Sequence, residues 1–232
     1  MLAEKRMIDT VADPSSPKLV ICSTIINQDP LQMMLWRNYG YRPGQDPPYQ
    51  GSFRRLVREA VRAATAAPPY FTPLRDGDVL YCDGAFLANN PTAVALTEAK
   101  LLYPNVPVEC ILSVGTGYYA PTTNSPSMNW GTVVGQLINS ATDTEGVDAT
   151  LRSLLPRGKY FRFNPRIEPF SIDEINPERL AELKAVAKEY LRDPEVESRA
   201  NELRMLLTGD GFLSSAYSDA VGRWESPSLM RI

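Results

Sequence analysis

Residues 79–117 run as an apolar stretch, a sharp turn, a helical stretch and a second apolar stretch, an order that restricts the fold more than any other part of the chain. Residues 79–82 read as a short strand that stops at Asp83-Gly84. Asn90-Pro91 then opens a helix through residue 102. An Asn side chain can accept an unpaired amide at a helix start, and a proline in the first turn has no amide to lose. Residues 108–114 (VECILSV) are apolar almost throughout, as a central parallel strand covered on both faces should be. Gly115-Thr116-Gly117 closes it. Strand, turn, helix and strand within about 40 residues make a βαβ pattern, which predicts an α/β sandwich with a mainly parallel sheet. Sites in such folds gather at the carboxyl ends of strands, where Asp83 and Gly115 to Gly117 both fall.

The flanking sequence fits that frame. Residues 18–28 are rich in β-branched side chains and predict a buried strand, and residues 31–39 a second one. Residues 41–50 are dense in Pro and Gly and predict a surface loop. Ser52 is placed to cap a helix that ends before Pro68-Pro69, with Phe53, Leu56, Val57, Ala60, Val61 and Ala64 on its apolar face. Its other face carries Arg54, Arg58 and Arg62 at i, i+4 and i+8, a solvated arginine face or a contact for anionic lipid headgroups. Residues 128–141 and 147–155 are expected to be helical and residues 159–163 a strand. Asn176-Pro177 and Asp193-Pro194 each start a helix expected to pack back on the sheet. No period is visible in the tail from residue 208 to 232, which is expected to be irregular.

Composition narrows the chemistry. The chain has 232 residues, a net charge of -3 and no histidine. The acidic balance argues against a general nucleic-acid binder. Without histidine no Ser-His-Asp or Cys-His pair can form from these residues, so a general base has to be a carboxylate or another titrating group. Asp83 is the first candidate. The three cysteines, Cys22, Cys82 and Cys110, are widely spaced in apolar runs and read as reduced core residues in a reducing, intracellular compartment. No apolar stretch reaches the roughly 20 residues of a spanning helix, so membrane contact is expected to be peripheral.

Other candidate sites are weaker. Asp76, Asp78 and Asp83 could be read as ligands for a hard cation, but the apolar strand between the last two breaks the ligand spacing, and Asp76-Gly77-Asp78 reads as a surface turn. No metal site is expected. Ser113 lies two residues before Gly115, yet Ile111 stands where a nucleophile elbow needs glycine, so it reads as a strand residue. The 232 residues contain no Gly-x-Ser-x-Gly.

The run from Asp83 to Pro91 (DGAFLANNP), preceded by residues 62–71 (RAATAAPPYF) and followed by residues 108–117, resembles the patatin-like phospholipases, and within them the calcium-independent phospholipase A2 gamma branch. Residues 36–40 (WRNYG), 138–144 (INSATDT) and 160–165 (YFRFNP) extend the likeness over most of residues 5–207. It implies an α/β/α sandwich, a Ser-Asp dyad that hydrolyses phospholipid or other acyl-ester lipids without calcium or another cofactor, and association with internal membranes such as endoplasmic reticulum, mitochondrion or peroxisome. By the same resemblance Asp83 is the dyad base, and Gly84 and Ala85 complete the Asp-Gly-Gly/Ala motif. The serine motif and its glycine-rich loop should precede residue 1. Residues 1–207 are therefore expected to be the C-terminal part of a patatin-like domain, incomplete at its N-terminal side, inactive alone and unstable or oligomeric. The alternative is a non-catalytic peripheral membrane or protein-interaction module.

Overall fold

The structure, a computed structural model, describes residues 4–11, 16–68, 70–120 and 144–208. The described chain divides into two compact units, one holding residues up to 106 together with 144–147, the other residues 107–120 and 148–208.

The first unit is built on a five-stranded sheet. Its strands are β1 (Val20–Ile25), β2 (Gln32–Arg37), β3 (Gln50–Ser52), β4 (Leu74–Asp76) and β5 (Val79–Asp83), in the spatial order β3-β2-β1-β5-β4. Only β2 and β3 pair parallel; β1 with β2, β1 with β5 and β4 with β5 are antiparallel. The α/β architecture is as expected, but the sheet is mixed rather than mainly parallel. The reason is local to β5. Both its edges are taken, by β1 on one side and by β4 on the other through the tight turn at Gly77 (φ +58), so no edge remains for a parallel partner.

Alternation along the strands sorts side chains to two faces. Ile25, Met34, Trp36 and Tyr81 join Met7, Ala60 and Ala63 in one core cluster, so helix α1 (Val57–Ala64) covers that face. Trp36 meets Tyr81 edge to face with ring centroids 5.0 Å apart, and its indole N–H donates to Ser23 Oγ at 2.9 Å. Cys22, Leu35 and Arg37, one register position along, serve the opposite face, where the one-turn helix α2 (Ala85–Ala88) and the longer α3 (Thr92–Leu102) lie. Helix, sheet and helix make the three layers of the sandwich.

Helix α1 starts five residues later than Ser52. Residues 53–57 instead pair with the N-terminal segment: Met7 N donates to the Arg55 carbonyl at 2.8 Å, Ile8 N to that of Phe53 at 3.0 Å, and Val57 N to that of Lys5 at 2.9 Å. Leu56 is held extended (ψ 147), and the helix start is closed by Glu59, whose Oε2 accepts the Leu56 amide at 3.0 Å.

In the second unit β6 (Ile111–Val114) pairs parallel with β7 (Tyr160–Phe163); between them in sequence comes α4 (Thr144–Leu154), of which residues 148–154 belong to this unit. Among the described residues the parallel partner of β6 is therefore β7, not β5. Leu112 and Val114 are 47% and 72% exposed, so β6 is not covered on both faces as its composition predicted. Helices α5 (Pro177–Arg192) and α6 (Pro194–Thr208) follow, each opened by the acid or amide before its proline. Asn176 Oδ1 accepts from Glu178 N at 2.9 Å, and Asp193 Oδ1 from Glu195 N at 2.9 Å. Helix α6 packs on the strand pair, where Arg199 donates to the Arg162 carbonyl at 3.1 Å and stacks on Phe163; α5 is tied in just beyond β7, where Tyr190 Oη accepts from Asn164 N at 3.3 Å. The helix expected over residues 128–141 and the tail from residue 209 lie outside the described residues.

Candidate active site

Asp83 ends β5, where its amide donates to the Ala66 carbonyl at 3.2 Å. The chain then turns at once into α2. One carboxylate oxygen of Asp83 accepts the Ala85 amide at 2.8 Å, which fixes the side chain across the turn. Gly84 has ordinary helical dihedrals (φ −66, ψ −20), so its conformation does not demand glycine. Its position does: a Cβ there would stand 2.4 Å from the Cys22 carbonyl oxygen and 2.9 Å from the Cys22 Cβ. The missing side chain lets the turn lie flush on β1. The three motif residues thus have separable parts, an acid at the strand end, a close approach, and an amide that aims the acid.

They line an open cleft of about 410 Å³ with Lys18, Val20, Cys22 and Ala95. The walls are mostly apolar, and among the lining residues only Asp83 and Lys18 carry charge. Such a space suits an acyl chain beside one carboxylate. Cys22, the other reactive side chain there, is held as the thiol: burial, then the negative Glu98, push its pKa up to about 11. It is no competitor for the role of nucleophile.

Behind the cleft lies a network that the sequence reading missed. Arg37 on β2 and Glu98 on α3 are both almost fully buried and paired, Nε to Oε2 at 2.6 Å and Nη2 to Oε1 at 2.9 Å. Tyr39 donates to the same carboxylate at 2.8 Å, and Tyr41 adds a further hydrogen bond. Gly51 leaves room for the guanidinium, since a Cβ there would overlap Arg37. Burial favours the neutral acid, but the bonds from Arg37, Tyr41 and Tyr39 outweigh it and hold the Glu98 carboxyl below its ordinary range. Burial and Glu98 together raise the phenol of Tyr39 far above its own. The signal was present: Glu98 is the one acid in a largely apolar helix, and Arg37 follows five residues of which four are apolar.

The arginines form no single helical face. Arg54 precedes α1 and stacks on Phe53; Arg58 is ion-paired with Glu4; Arg62 donates to the Thr72 carbonyl at 2.6 Å and stacks on Phe71. Asp76 is ion-paired with Arg55, and Asp76-Gly77-Asp78 is the β4–β5 turn. Ser113 sits on β6 and accepts from Arg162 at 2.9 Å. Gly115 and Gly117 pack on Asn164 and Ile167, and Asn164 Oδ1 accepts the Gly117 amide at 2.8 Å. Asn90 braces the cleft wall: its Oδ1 accepts from Thr92 N at 3.2 Å and Thr92 Oγ1 at 2.6 Å, and its amide donates to the Thr144 carbonyl at 3.2 Å. Among the described residues no helix is long and apolar enough to cross a membrane.

An acid at a strand end, a glycine flush on the neighbouring strand and a helix turn beyond it lie within residues 34–96, which match the family pattern of patatin-like phospholipases. The chain belongs to that family. Within it, the sequence is 43% identical over 192 residues to calcium-independent phospholipase A2-gamma of Rattus norvegicus, covering 80% of this chain and 24% of the relative. It is 41% identical over 195 residues to the protein of that name from Homo sapiens, covering 82% and 25%. Phospholipase A I of Arabidopsis thaliana is 29% identical over 215 residues, 78% of this chain and 16% of the relative. The chain thus spans about a quarter of the length of the first two.

Proposed function

We propose that these residues carry the aspartate half of a Ser-Asp dyad that hydrolyses phospholipid acyl esters at an intracellular membrane. The observation that carries the reading is Asp83, held by the Ala85 amide in an apolar cleft of about 410 Å³ at the end of a strand. In the reaction a serine hydroxyl attacks the ester carbonyl and gives its proton to Asp83. The carboxylate oxygen not engaged by Ala85 is the one free to take it. With no histidine among the 232 residues, a base supplied by them is a carboxylate or another titrating group, and Cys22, held as the thiol, is a poor nucleophile. The serine comes from a Gly-x-Ser-x-Gly strand-to-helix turn, which these residues do not contain.

The test is hydrolysis of a phosphatidylcholine by a chain in which this segment is joined to such a serine-bearing unit. Asp83→Asn keeps an oxygen to accept the Ala85 amide, so the fold should persist while turnover falls by about 10² to 10⁴, the range for loss of a general base. Undiminished turnover in a folded Asp83→Asn protein would reject the assignment.

A further inference from the structure

We infer that Tyr70, Phe71 and Arg62 form an interfacial anchor that holds the Asp83 end of β5 beside a phospholipid surface. Phe71 is 57% exposed, Tyr70 45%, and Val61 on the adjoining turn of α1 46%, side chains that water alone does not favour together on a surface. They are not a loose tip. The Phe71 amide donates to the Ala67 carbonyl at 3.0 Å, and Arg62 fastens the far side of the turn through the Thr72 carbonyl at 2.6 Å and Thr72 Oγ1 at 3.3 Å. The base of the turn is tied to the catalytic candidate, because the neighbouring Ala66 carbonyl accepts both the Asp83 amide at 3.2 Å and the Cys82 thiol at 2.9 Å. An aromatic pair is thereby held at a fixed offset from Asp83.

Charge selects the partner. The Arg62 guanidinium lies 5.7 Å from the centre of the Phe71 ring, and its Nη1 is covered and has no hydrogen-bond acceptor. Rings at the headgroup level with a cation beside them match the interface of a bilayer, where aromatic side chains sit at the boundary and Arg meets phosphate. As Phe71 moves from the guanidinium into the acyl region, a lipid phosphate would supply the acceptor that Nη1 lacks. The inference rests on the lipid-ester reading only for what the contact serves; the contact itself needs no catalysis.

The experiment is partitioning of the chain onto vesicles of diether phosphatidylcholine, with and without about a quarter of diether phosphatidylglycerol, lipids that no esterase can cleave. The parent chain should bind, more tightly to the anionic vesicles. Tyr70→Ser with Phe71→Ser should weaken binding about tenfold or more to both, and Arg62→Gln should weaken it on both, with the larger loss, about fivefold, on the anionic ones. Phe71→Trp should add blue-shifted emission quenched by lipids brominated in their chains. A parent that binds neither vesicle, a folded double variant that binds like the parent, or a Phe71→Trp protein whose emission vesicles leave unchanged would each overturn the anchor. None of these outcomes bears on whether Asp83 is the base, which the hydrolysis assay decides separately.

Discussion

Arg37 and Glu98, 61 residues apart in sequence, meet through two hydrogen bonds of 2.6 and 2.9 Å and tie β2 to α3. Both charges are out of water. Removing one partner should therefore be far worse than removing both. Glu98→Ala is expected to cost about 3–5 kcal/mol in chemical denaturation, and Arg37→Met with Glu98→Leu much less.

The same carboxylate sets an acid limb of stability. Its folded pKa lies below the ordinary 4.5, so its contribution is complete above that value and is lost as pH falls through the folded one. Denaturation midpoints measured downward from pH 6 should drop below about 4.5 in the parent, and Glu98→Gln should lack this part of the slope. Tyr39 and Tyr41 have the opposite sign. Their folded pKa values are raised above 10.0, so stability is complete below that value and declines as pH rises beyond it.

Gly84→Ala should destabilise by about 1–3 kcal/mol by overpacking, because its Cβ would press on the backbone of Cys22. Gly77→Ala is the control, since that glycine needs its positive φ but has nothing within 4 Å of an added Cβ. It should cost about 1 kcal/mol and leave the cleft alone. Equal losses in both, or a full-strength fold in Gly84→Ala, would contradict the close approach.

Alkylation of Cys22 should be slow near neutrality. With the thiol raised to about 11, the thiolate fraction at pH 8 is about 10⁻³, against roughly a quarter for an ordinary cysteine. Iodoacetamide labelling followed by mass spectrometry should show Cys22 reacting two to three orders of magnitude more slowly than a free thiol, with the rate still rising above pH 9.

The two helix starts of the second unit offer a simpler check. Asn176→Ala and Asp193→Ala should each cost about 1 kcal/mol, since each side chain accepts an amide that otherwise has no partner.

What could be read from the chain was what neighbouring residues decide among themselves. Asn176-Pro177 and Asp193-Pro194 open their helices where expected, and β1, β2 and β5 fall within the apolar stretches that predicted them. Asp83 at a strand end before a glycine was legible for the same reason. Pairing was not. Nothing in residues 79–114 says that β5 spends both edges on β1 and β4, and so the βαβ pattern named the wrong parallel partner. Helix α1 began late because residues 5–8, remote in sequence, hold residues 53–57 extended. The arginine spacing was real, yet it became a helical face only on paper, since Arg54 lies before the helix and Arg58 and Arg62 have partners from outside it.

Asn90 joins two segments that lie 54 residues apart, with the carbonyl end of its side chain on Thr92 and the amide end on Thr144. One planar group must face both ways at once. Aspartate would keep the acceptor and lose the donor, serine would fall short of Thr144, and glutamine would carry its amide one methylene too far. Position 90 therefore favours asparagine: another side chain keeps one end of this bridge and gives up the other, a hydrogen bond worth about 1 kcal/mol.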